Sequence, residues 1–424
     1  MLQVNIFGIS VRVPLFLVLV LTTCLVPISD AQTYTLLHNF TGAPDGAMPN
    51  AGLIFDPTGT YLYGTTAYGG GADNPGTVFK STLSGNESIQ FSFEGVGGFP
   101  YDASYPLGPL AIDTSGNLYV VTYGPIQYAQ GYDVSGTIFE ISAKGSGSIL
   151  DVLGGTPSGP AEPMGGLGLD SAGNLYGVVE EGAAPAGSCG DLFEFSTKKP
   201  YTYTTLHEFI GVAGGDGCFP NSGPLRDGIG DLFGTTAWGG QSGCPTAADF
   251  GCGTVYEYSA SNKYSVLYTF NGIDGFSPLA TPVLDSDGNL YGTTYAGGVH
   301  GLGIVFELSP PAKKGKGWKE TILHQFSGGK DGAHPSAGLV LDSKGNIYGT
   351  TYQGGLASTT QYGTVFMISN SRPRTKTVLH YFAGAPHEGA YPAGALVFDS
   401  QGNLYGTTQA GGSSNLGTLY KLAP

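Results

Sequence analysis

The chain has 424 residues, of which only 12% are charged, and its acidic residues outnumber the basic ones to give a net charge of −15. A body this acidic repels phosphate backbones, so nucleic-acid binding is not expected. Its 72 glycines, 26 tyrosines and 22 phenylalanines are typical of short aromatic-rich strands separated by turns, which excludes a helical fold.

Residues 1–31 predict a secretory signal peptide. Arg12 is the only positive charge before an apolar segment from Val13 to Val26, and Ser29–Ala31 provides a small-x-small cleavage site. The apolar segment is too short to cross a bilayer comfortably, so no membrane span is expected after removal of the signal. The protein is therefore predicted to be secreted, with a periplasmic location, or a lipid anchor on Cys24, as alternatives.

Four cysteines follow the predicted cleavage site: Cys189, Cys218, Cys244 and Cys252. An even number of cysteines in an exported chain predicts disulfides. The short loop between Cys244 and Cys252 favours that pair and leaves Cys189 with Cys218, although four cysteines allow three pairings. A zinc site is the alternative, but the spacings match no zinc pattern and histidine is absent nearby.

An aromatic residue, followed by Gly-Thr-Thr in most copies, recurs every 56 to 58 residues. Its positions are Tyr63, Tyr119, Tyr176, Phe233, Tyr291, Tyr348 and Tyr405. Self-similarity at a fixed period is the signature of a repeat architecture. Residues 32–424 are therefore predicted to form a single domain of seven repeats of about 57 residues.

Each repeat contains four short extended segments, seen most clearly in the sixth copy. They are Leu323–Phe326, Gly338–Asp342, Asn346–Thr351 and Gly363–Phe366. Their continuous apolar runs predict strands that are covered on both faces. An Asp-x-x-Gly-Asn turn joins the second segment to the third, and a proline seven residues before that aspartate marks where the second segment begins.

Four strands in each of seven units predict an all-β, seven-bladed β-propeller. The repeats begin with a lone strand, Tyr34–Phe40, and end after Gly417–Leu422. The N-terminal strand is therefore predicted to complete the last four-stranded blade and to close the ring, which removes an open sheet edge. A linear β-solenoid is the alternative fold.

These units resemble the GloVer tandem repeats of exported bacterial proteins. The matching residues include Leu323–Phe326, Asp331–Gly332, Pro335, Ala337–Leu339, Asp342, Gly345–Asn346, Tyr348–Thr351, Gly354–Gly355 and Gly363–Phe366. The resemblance implies an extracellular repeat protein, a predicted propeller, with no assigned activity. The family often carries a C-terminal sorting anchor, and this chain departs from that pattern by ending at Lys421–Pro424, so free secretion is expected.

An acidic residue recurs four positions before the proline of most units. The series is Asp45, Asp102, Asp216, Asp274, Asp331 and Glu388. These carboxylates could form a ring around the channel mouth that binds Ca²⁺ or a cationic ligand. Alternatively, each one caps its own Asp-Gly turn, and recurrence on nearly every blade favours this interpretation.

Aromatic residues follow the Thr-Thr pair on the same predicted face. They are Tyr68, Tyr123, Trp238, Tyr295 and Tyr352. Flat aromatic surfaces on a concave face suit the apolar faces of sugar rings, so we predict a ligand-binding role. Packing between blades is the alternative.

The third unit departs most from the repeat, because Val178-Val179 replaces Thr-Thr and Glu180-Glu181 follows. Adjacent like charges can raise the pKa of one carboxyl group, so Glu180 and Glu181 are the candidate catalytic residues. The alternative is a loop that has drifted in sequence.

The sequence as a whole predicts a secreted, monomeric, non-catalytic scaffold that binds a glycan or protein ligand, with carbohydrate as the expected class. No cofactor is expected, and the alternative is a protein that binds Ca²⁺. One alternative function is a carbohydrate-active hydrolase or lyase that uses Glu180 or Glu181 as general acid/base. A calcium-binding structural propeller is another.

Overall fold

The computed structural model describes residues 2–6, 9–13, 32–71, 74–93, 103–123, 126–127, 133–134, 136–153, 162–180, 189–244, 250–312, 317–356 and 361–423. The chain divides into two compact units, residues 1–31 and residues 32–423. In the first unit, Leu2–Ile6 and Ile9–Val13 pair as an antiparallel hairpin. Cys24 and the predicted cleavage site lie outside the described residues, so the signal peptide stays a prediction.

Residues 32–423 form an all-β propeller of seven blades, and each blade is an antiparallel sheet of four strands. The strands are named inner, second, third and outer, in order of distance from the central axis. Blades 1 to 4 consist of Ile54–Phe55, Tyr61–Thr66, Thr77–Thr82 and Glu87–Ser92; Ala111–Ile112, Leu118–Thr122, Gly136–Ile141 and Gly147–Leu153; Gly168–Leu169, Asn174–Val179, Asp191–Ser196 and Thr202–Glu208; and Leu225–Arg226, Leu232–Thr236, Thr254–Ser259 and Lys263–Thr269.

Blades 5 and 6 follow the same order, and blade 7 takes its outer strand from the N-terminal end of the propeller. Their strands are Val283–Leu284, Leu290–Thr294, Ile304–Ser309 and Lys319–Gln325; Val340–Leu341, Ile347–Thr351, Thr364–Ile368 and Lys376–Tyr381; and Val397–Phe398, Leu404–Thr408, Thr418–Ala423 and Thr33–Asn39.

Within the described residues, the loops between the strands contain short ribbons and two 3-10 turns. The ribbons pair Gly46–Ala47 with Tyr68–Gly69, Ile126–Gln127 with Asp133–Val134, Gly217–Cys218 with Trp238–Gly239, and Gly389–Ala390 with Ala410–Gly411; the 3-10 turns are Val212–Gly214 and Gly329–Asp331. Among the described residues, no helix is both long enough and apolar enough to cross a membrane.

The N-terminal strand closes the ring, as the sequence predicts. Thr33–Asn39 pairs antiparallel with Thr418–Ala423, which leaves blade 7 with four strands. Phe40 follows this strand, is fully buried, and packs edge-on against Phe79 of blade 1 at 5.1 Å between ring centroids. The predicted all-β propeller is confirmed, and the linear solenoid alternative is excluded by this closure.

The Thr-Thr pair of the repeat makes buried hydrogen bonds, and its first threonine joins blades 1, 4, 5 and 7 to their neighbours. The first threonine donates its hydroxyl to a carbonyl of the next blade, as Thr293 does to Ala337 O at 3.2 Å. The second threonine bonds a threonine of the third strand, as Thr351 does with Thr364 at 2.8 Å. Blade 3 has Val178–Val179 at this place, so apolar burial replaces two buried hydrogen bonds there.

Turn chemistry accounts for the recurring aspartate between the inner and second strands. In blade 6, Asp342 Oδ1 accepts from the backbone N–H groups of Lys344 and Asn346, each at 2.9 Å. The Tyr348 hydroxyl donates to Asp342 Oδ2 at 3.2 Å. The landmark tyrosine therefore anchors the predicted Asx turn to the sheet.

Small residues allow the inner segments of neighbouring blades to approach one another at the axis. A β-carbon on Gly223 would lie only 1.8 Å from the carbonyl oxygen of Gly166 in the preceding blade. Only glycine fits such a backbone approach. The inner strands can therefore converge around a central cavity.

Candidate functional site

A cavity of about 560 Å³ lies at the centre of the ring. Inner segments of all seven blades line it, and most contribute small or apolar side chains such as Leu107, Met164 and Ala393. Among the described residues, Arg226 is the one ionisable side chain in its lining. No pair of carboxylates suited to general acid/base chemistry faces this cavity in the described part of the chain.

At the start of each inner segment, the residue before the recurring proline has a left-handed backbone. These residues and their φ angles are Met48 (54°), Tyr105 (55°), Glu162 (60°), Phe219 (55°), Ser277 (57°), His334 (55°) and Tyr391 (59°). Positive φ is uncommon for side chains of this size, and a following proline restricts the backbone further. We call these seven residues the pre-proline ring.

Two backbone hydrogen bonds hold each member of the ring other than Glu162 in this conformation. The His334 N–H donates to Leu302 O of the preceding blade at 2.9 Å, and His334 O accepts from Tyr352 N at 3.1 Å. The same two bonds recur around the ring, whereas the side chain changes from blade to blade. A constant backbone thus carries six different residue types at these seven positions.

The five predicted ligand-binding aromatics all lie beside this ring. Tyr295 stacks on His334 of the next blade at 4.7 Å, and Tyr352 stacks on Tyr391 at 5.0 Å. Tyr68 meets Tyr105 edge-on at 5.5 Å. These rings pack between blades, and each retains some exposed surface.

The other two aromatics make comparable contacts. The Tyr123 hydroxyl donates to Glu162 Oε1 of the next blade at 3.4 Å. Trp238 packs edge-on against Phe276 and Phe250, with centroid distances of 5.3 and 5.8 Å. Phe250 is 59% exposed, so this cluster is open to solvent on one side. The ligand-binding role of all five stays a prediction.

Both disulfides form the predicted pairs and support the pre-proline ring. Cys189 bonds Cys218, and Cys244 bonds Cys252. The carbonyl of Cys189 accepts the N–H of Phe219 at 2.8 Å, and that of Cys252 accepts the N–H of Ser277 at 3.0 Å. Each bridge therefore fixes a carbonyl that holds one ring position.

Glu180 lies close to the cavity rim in blade 3. Its Oε1 accepts a hydrogen bond from Asn221 Nδ2, and Asn221 lines the cavity. The Glu180 N–H donates to Glu162 O, so Glu180 takes the position beside the pre-proline ring that Tyr295 and Tyr352 take in their blades. Glu181, its predicted partner, lies outside the described residues.

The predicted ring of carboxylates around the channel mouth is not observed for its described members. These carboxylates lie instead at junctions between the outer strands of neighbouring blades, and Asp102 falls outside the described residues. Asp45 Oδ2, for example, accepts from Thr41 N at 3.0 Å and lies 3.1 Å from His38 Nε2. Each of these acids caps its own loop because the loop backbone turns its N–H groups toward the side chain.

Each junction joins three positions, and the strand registers make them equivalent. The first lies near the end of one outer strand, the second is the loop acid, and the third lies near the start of the next outer strand. The five described sets are His38 with Asp45 and Glu87; His207 with Asp216 and Tyr264; Tyr268 with Asp274 and Glu320; His324 with Asp331 and Lys376; and His380 with Glu388 and Tyr34. Sequence reasoning missed the third position because its residue type changes.

Two junctions place a second carboxylate beside the loop acid. Burial raises the pKa of Glu320 to about 7, and the charge of Asp274 acts in the same direction. Burial likewise raises the pKa of Glu87 to about 7, where the charge of Asp45 also acts upward and that of His38 acts downward. Because the pKa values of these two carboxyl groups are raised, the stability of the propeller should depend on their ionisation and therefore on pH.

We expect Glu320→Gln to remove part of the pH dependence of stability. The pKa of this carboxyl is raised from 4.5 to about 7, so its contribution to stability is fully present below pH 4.5 and is lost as pH rises through 7. Because the side chain is half-buried, solvent screening leaves an effect of about 1 kcal/mol. Urea unfolding at pH 4.5 and at pH 8 should show the variant more stable only at pH 8.

Glu208→Gln is the matched control for that measurement, because Glu208 is an exposed carboxyl on another outer strand. It should leave the free energy of unfolding unchanged at both pH values. Identical pH profiles for wild type and Glu320→Gln would contradict the assigned role of the buried carboxyl.

Residues 244–424 match the Gloeobacter/Verrucomicrobia repeat model, which confirms the resemblance seen in the repeat motif. The matched segment runs from the Cys244–Cys252 loop of blade 4 to the end of blade 7. No curated protein matches the chain in sequence.

Two solved structures show a similar fold. The extracellular domain of a proposed one-component system from B. thetaiotaomicron is 11% identical with a TM-score of 0.53, and the match covers 91% of this chain and 40% of that one. The Swd1 β-propeller domain from Myceliophthora thermophila is 9% identical with a TM-score of 0.52, covering 93% and 99% of the two chains. At these identities the likeness concerns the fold alone.

Proposed function

We propose that this propeller, whose residues 244–424 carry the Gloeobacter/Verrucomicrobia repeat, is a secreted, non-catalytic scaffold that binds carbohydrate. The observation that carries the proposal is the pre-proline ring with its neighbouring aromatics. Seven positions share one backbone conformation and carry six different residue types. Such an arrangement supports recognition of one ligand by several blades at once, in which the fold supplies rigidity and the variable residues supply specificity.

Carbohydrate is the proposed ligand class because of the mixture of groups at this face. Tyr295 and Tyr352 present partly exposed rings that can stack on the apolar faces of sugars. His334 lies beside Tyr295 and Glu162 lies beside Tyr123, and both side chains can exchange hydrogen bonds with hydroxyl groups. A highly acidic chain also disfavours anionic polymers as partners.

A non-catalytic role is proposed because the cavity at the centre of this face has an apolar lining. Glycosidic hydrolysis commonly uses two carboxylates on opposite sides of the bond. Glu180, at the rim, is the described residue on which a catalytic alternative depends. Secretion is supported by the two disulfides, which persist in oxidising compartments.

We expect Tyr295→Ala and Tyr352→Ala each to weaken glycan binding about tenfold, because each removes one stacking surface. A glycan array identifies the tightest-binding sugar, and isothermal titration calorimetry then measures its Kd for each variant. Tyr201→Ala is the matched control, since Tyr201 is 37% exposed but lies in the connection between a third and an outer strand, away from the ring.

Two outcomes would contradict the proposal. The first is an array without a bound glycan, or equal Kd values for the ring variants and the control. The second is release of reducing ends from the bound sugar in a turnover assay. If Glu180→Gln abolished such turnover, the protein would be a carbohydrate-active enzyme instead of a scaffold.

A further inference from the structure

The blade junctions differ in how they neutralise the loop acid, and one of them places a histidine and a second carboxylate beside it. Between blades 5 and 6, the Lys376 ammonium lies 2.8 Å from Asp331 Oδ1 and its side chain is only 6% exposed. Between blades 3 and 4, the Tyr264 hydroxyl donates to Asp216. In both cases the third position supplies a proton donor to the buried carboxylate.

At the junction between blades 7 and 1, the third position is Glu87, which supplies a second carboxylate instead. Its side chain is only 8% exposed, and it makes no hydrogen bond with the residues that the structure describes. Glu87 Oε1 and Asp45 Oδ1 are both buried without a hydrogen-bond partner among those residues. Buried carboxylates are normally paired with cations or coordinated to metals.

The geometry of this junction fits a small divalent cation. His38 Nε2 lies 3.1 Å from Asp45 Oδ2 and 3.8 Å from Glu87 Oε2. One ligand atom from each of the three residues lies within 4.8 Å of the others. Bonds of about 2.0 Å to a tetrahedral ion place neighbouring ligand atoms about 3.3 Å apart. The three residues would therefore supply three of the four ligands once their atoms move closer together.

We propose that His38, Asp45 and Glu87 bind a divalent transition-metal ion, with Zn²⁺ as the best match. The imidazole ligand favours Zn²⁺ and its neighbours in the transition series, whereas Ca²⁺ prefers oxygen ligands alone and more of them. Among the described residues this is the one set of three that meets the geometric requirement. The site is distinct from the proposed glycan-binding face, and this inference does not rest on the proposed function.

The position of the three ligands gives the ion a structural role. His38 lies in the N-terminal strand that completes blade 7, Asp45 lies in the loop that follows, and Glu87 begins the outer strand of blade 1. An ion held by all three would connect the closing strand to the neighbouring blade. The metal therefore occupies the place that the Lys376 ammonium takes between blades 5 and 6.

Calorimetric titration of the full chain, purified without a histidine tag and treated with EDTA, tests the proposal with ZnCl₂ as probe. We expect one Zn²⁺ per chain and a rise of about 4 °C in melting temperature at a hundredfold excess over Kd. CaCl₂ and MgCl₂ at the same concentration should give no comparable rise. Absence of Zn²⁺ binding, or a larger response to CaCl₂, would overturn the proposal.

Three variants locate the site. Glu87→Gln should weaken Zn²⁺ binding at least about tenfold, and Glu87→Lys should abolish the Zn²⁺ response while retaining the native circular dichroism spectrum, because the ammonium replaces the ion. Glu320→Gln alters the equivalent position at a junction without histidine and should leave Zn²⁺ binding unchanged. A full Zn²⁺ response in Glu87→Lys would place the bound metal elsewhere and refute the assignment.

Discussion

Deletion of residues 32–41 is expected to lower the melting temperature of the propeller by more than about 10 °C. The deletion removes the outer strand of blade 7 and exposes the edge formed by Thr418–Ala423. It also removes Phe40, which is fully buried between blades 7 and 1. Loss of one buried phenylalanine typically costs about 3–5 kcal/mol, and the lost strand pairing adds to this.

Differential scanning calorimetry of the deleted chain measures the effect. Thr35→Ala is the control, because Thr35 is exposed within the same strand and its replacement should leave the melting temperature unchanged. A synthetic peptide of residues 32–41 added in excess should restore part of the lost stability if the strand acts through pairing. An unchanged melting temperature after the deletion would mean that the ring does not depend on its N-terminal strand.

Replacement of both Cys189 and Cys218 by alanine is expected to lower the free energy of unfolding by about 3 kcal/mol. The bridge closes a loop with a sequence separation of 29, whereas Cys244–Cys252 closes one of only 8. A longer loop loses more conformational entropy in the unfolded chain when it is closed, so the double replacement at Cys244 and Cys252 should cost about 1 kcal/mol less.

Guanidinium unfolding of the two double variants gives both values. A second readout follows from the geometry, because Cys189 O holds the N–H of Phe219. Amide hydrogen exchange at Phe219 should accelerate in the Cys189/Cys218 variant but not in the Cys244/Cys252 variant. Equal free energies of unfolding for both variants and the wild type would show that neither bridge contributes to stability.

The strand order and the ring closure could be predicted from the sequence because they rest on local and repeated signals. The Asp-x-x-Gly-Asn turn demands a positive φ at glycine and an acceptor at aspartate, as Gly345 and Asp342 show. The cysteine pairing was predictable for a similar reason, since Cys244 and Cys252 share one loop. Because these signals are local, they allow a prediction without knowing which distant residues contact one another in the fold.

The location of the acidic series could not be predicted, because it depends on contacts between blades. Asp331 is paired with Lys376, which lies 45 positions later and has no counterpart of the same type in other blades. Equivalence between Glu87, Tyr264, Glu320 and Lys376 emerges only from the strand registers. A series that looks uniform in sequence therefore occupies junctions of different chemistry.

The pre-proline ring was also missed, although its signal lies in the sequence. A residue stands directly before each recurring proline, but its identity varies from Met48 to Tyr391, so no motif marks it. Its left-handed backbone is imposed by hydrogen bonds from two separate loops, as at His334. Positions of this kind can be recognised only in the structure, because their backbone conformation is constant while their side chains vary.

The most direct test of the account is hydrogen–deuterium exchange of the chain with and without its tightest-binding glycan. The account predicts protection in the segments around the pre-proline ring and the neighbouring aromatics, including Tyr105, Tyr295, His334, Tyr352 and Tyr391. The connections between third and outer strands on the opposite face should be unaffected. Protection confined to those opposite connections would contradict the proposed binding face.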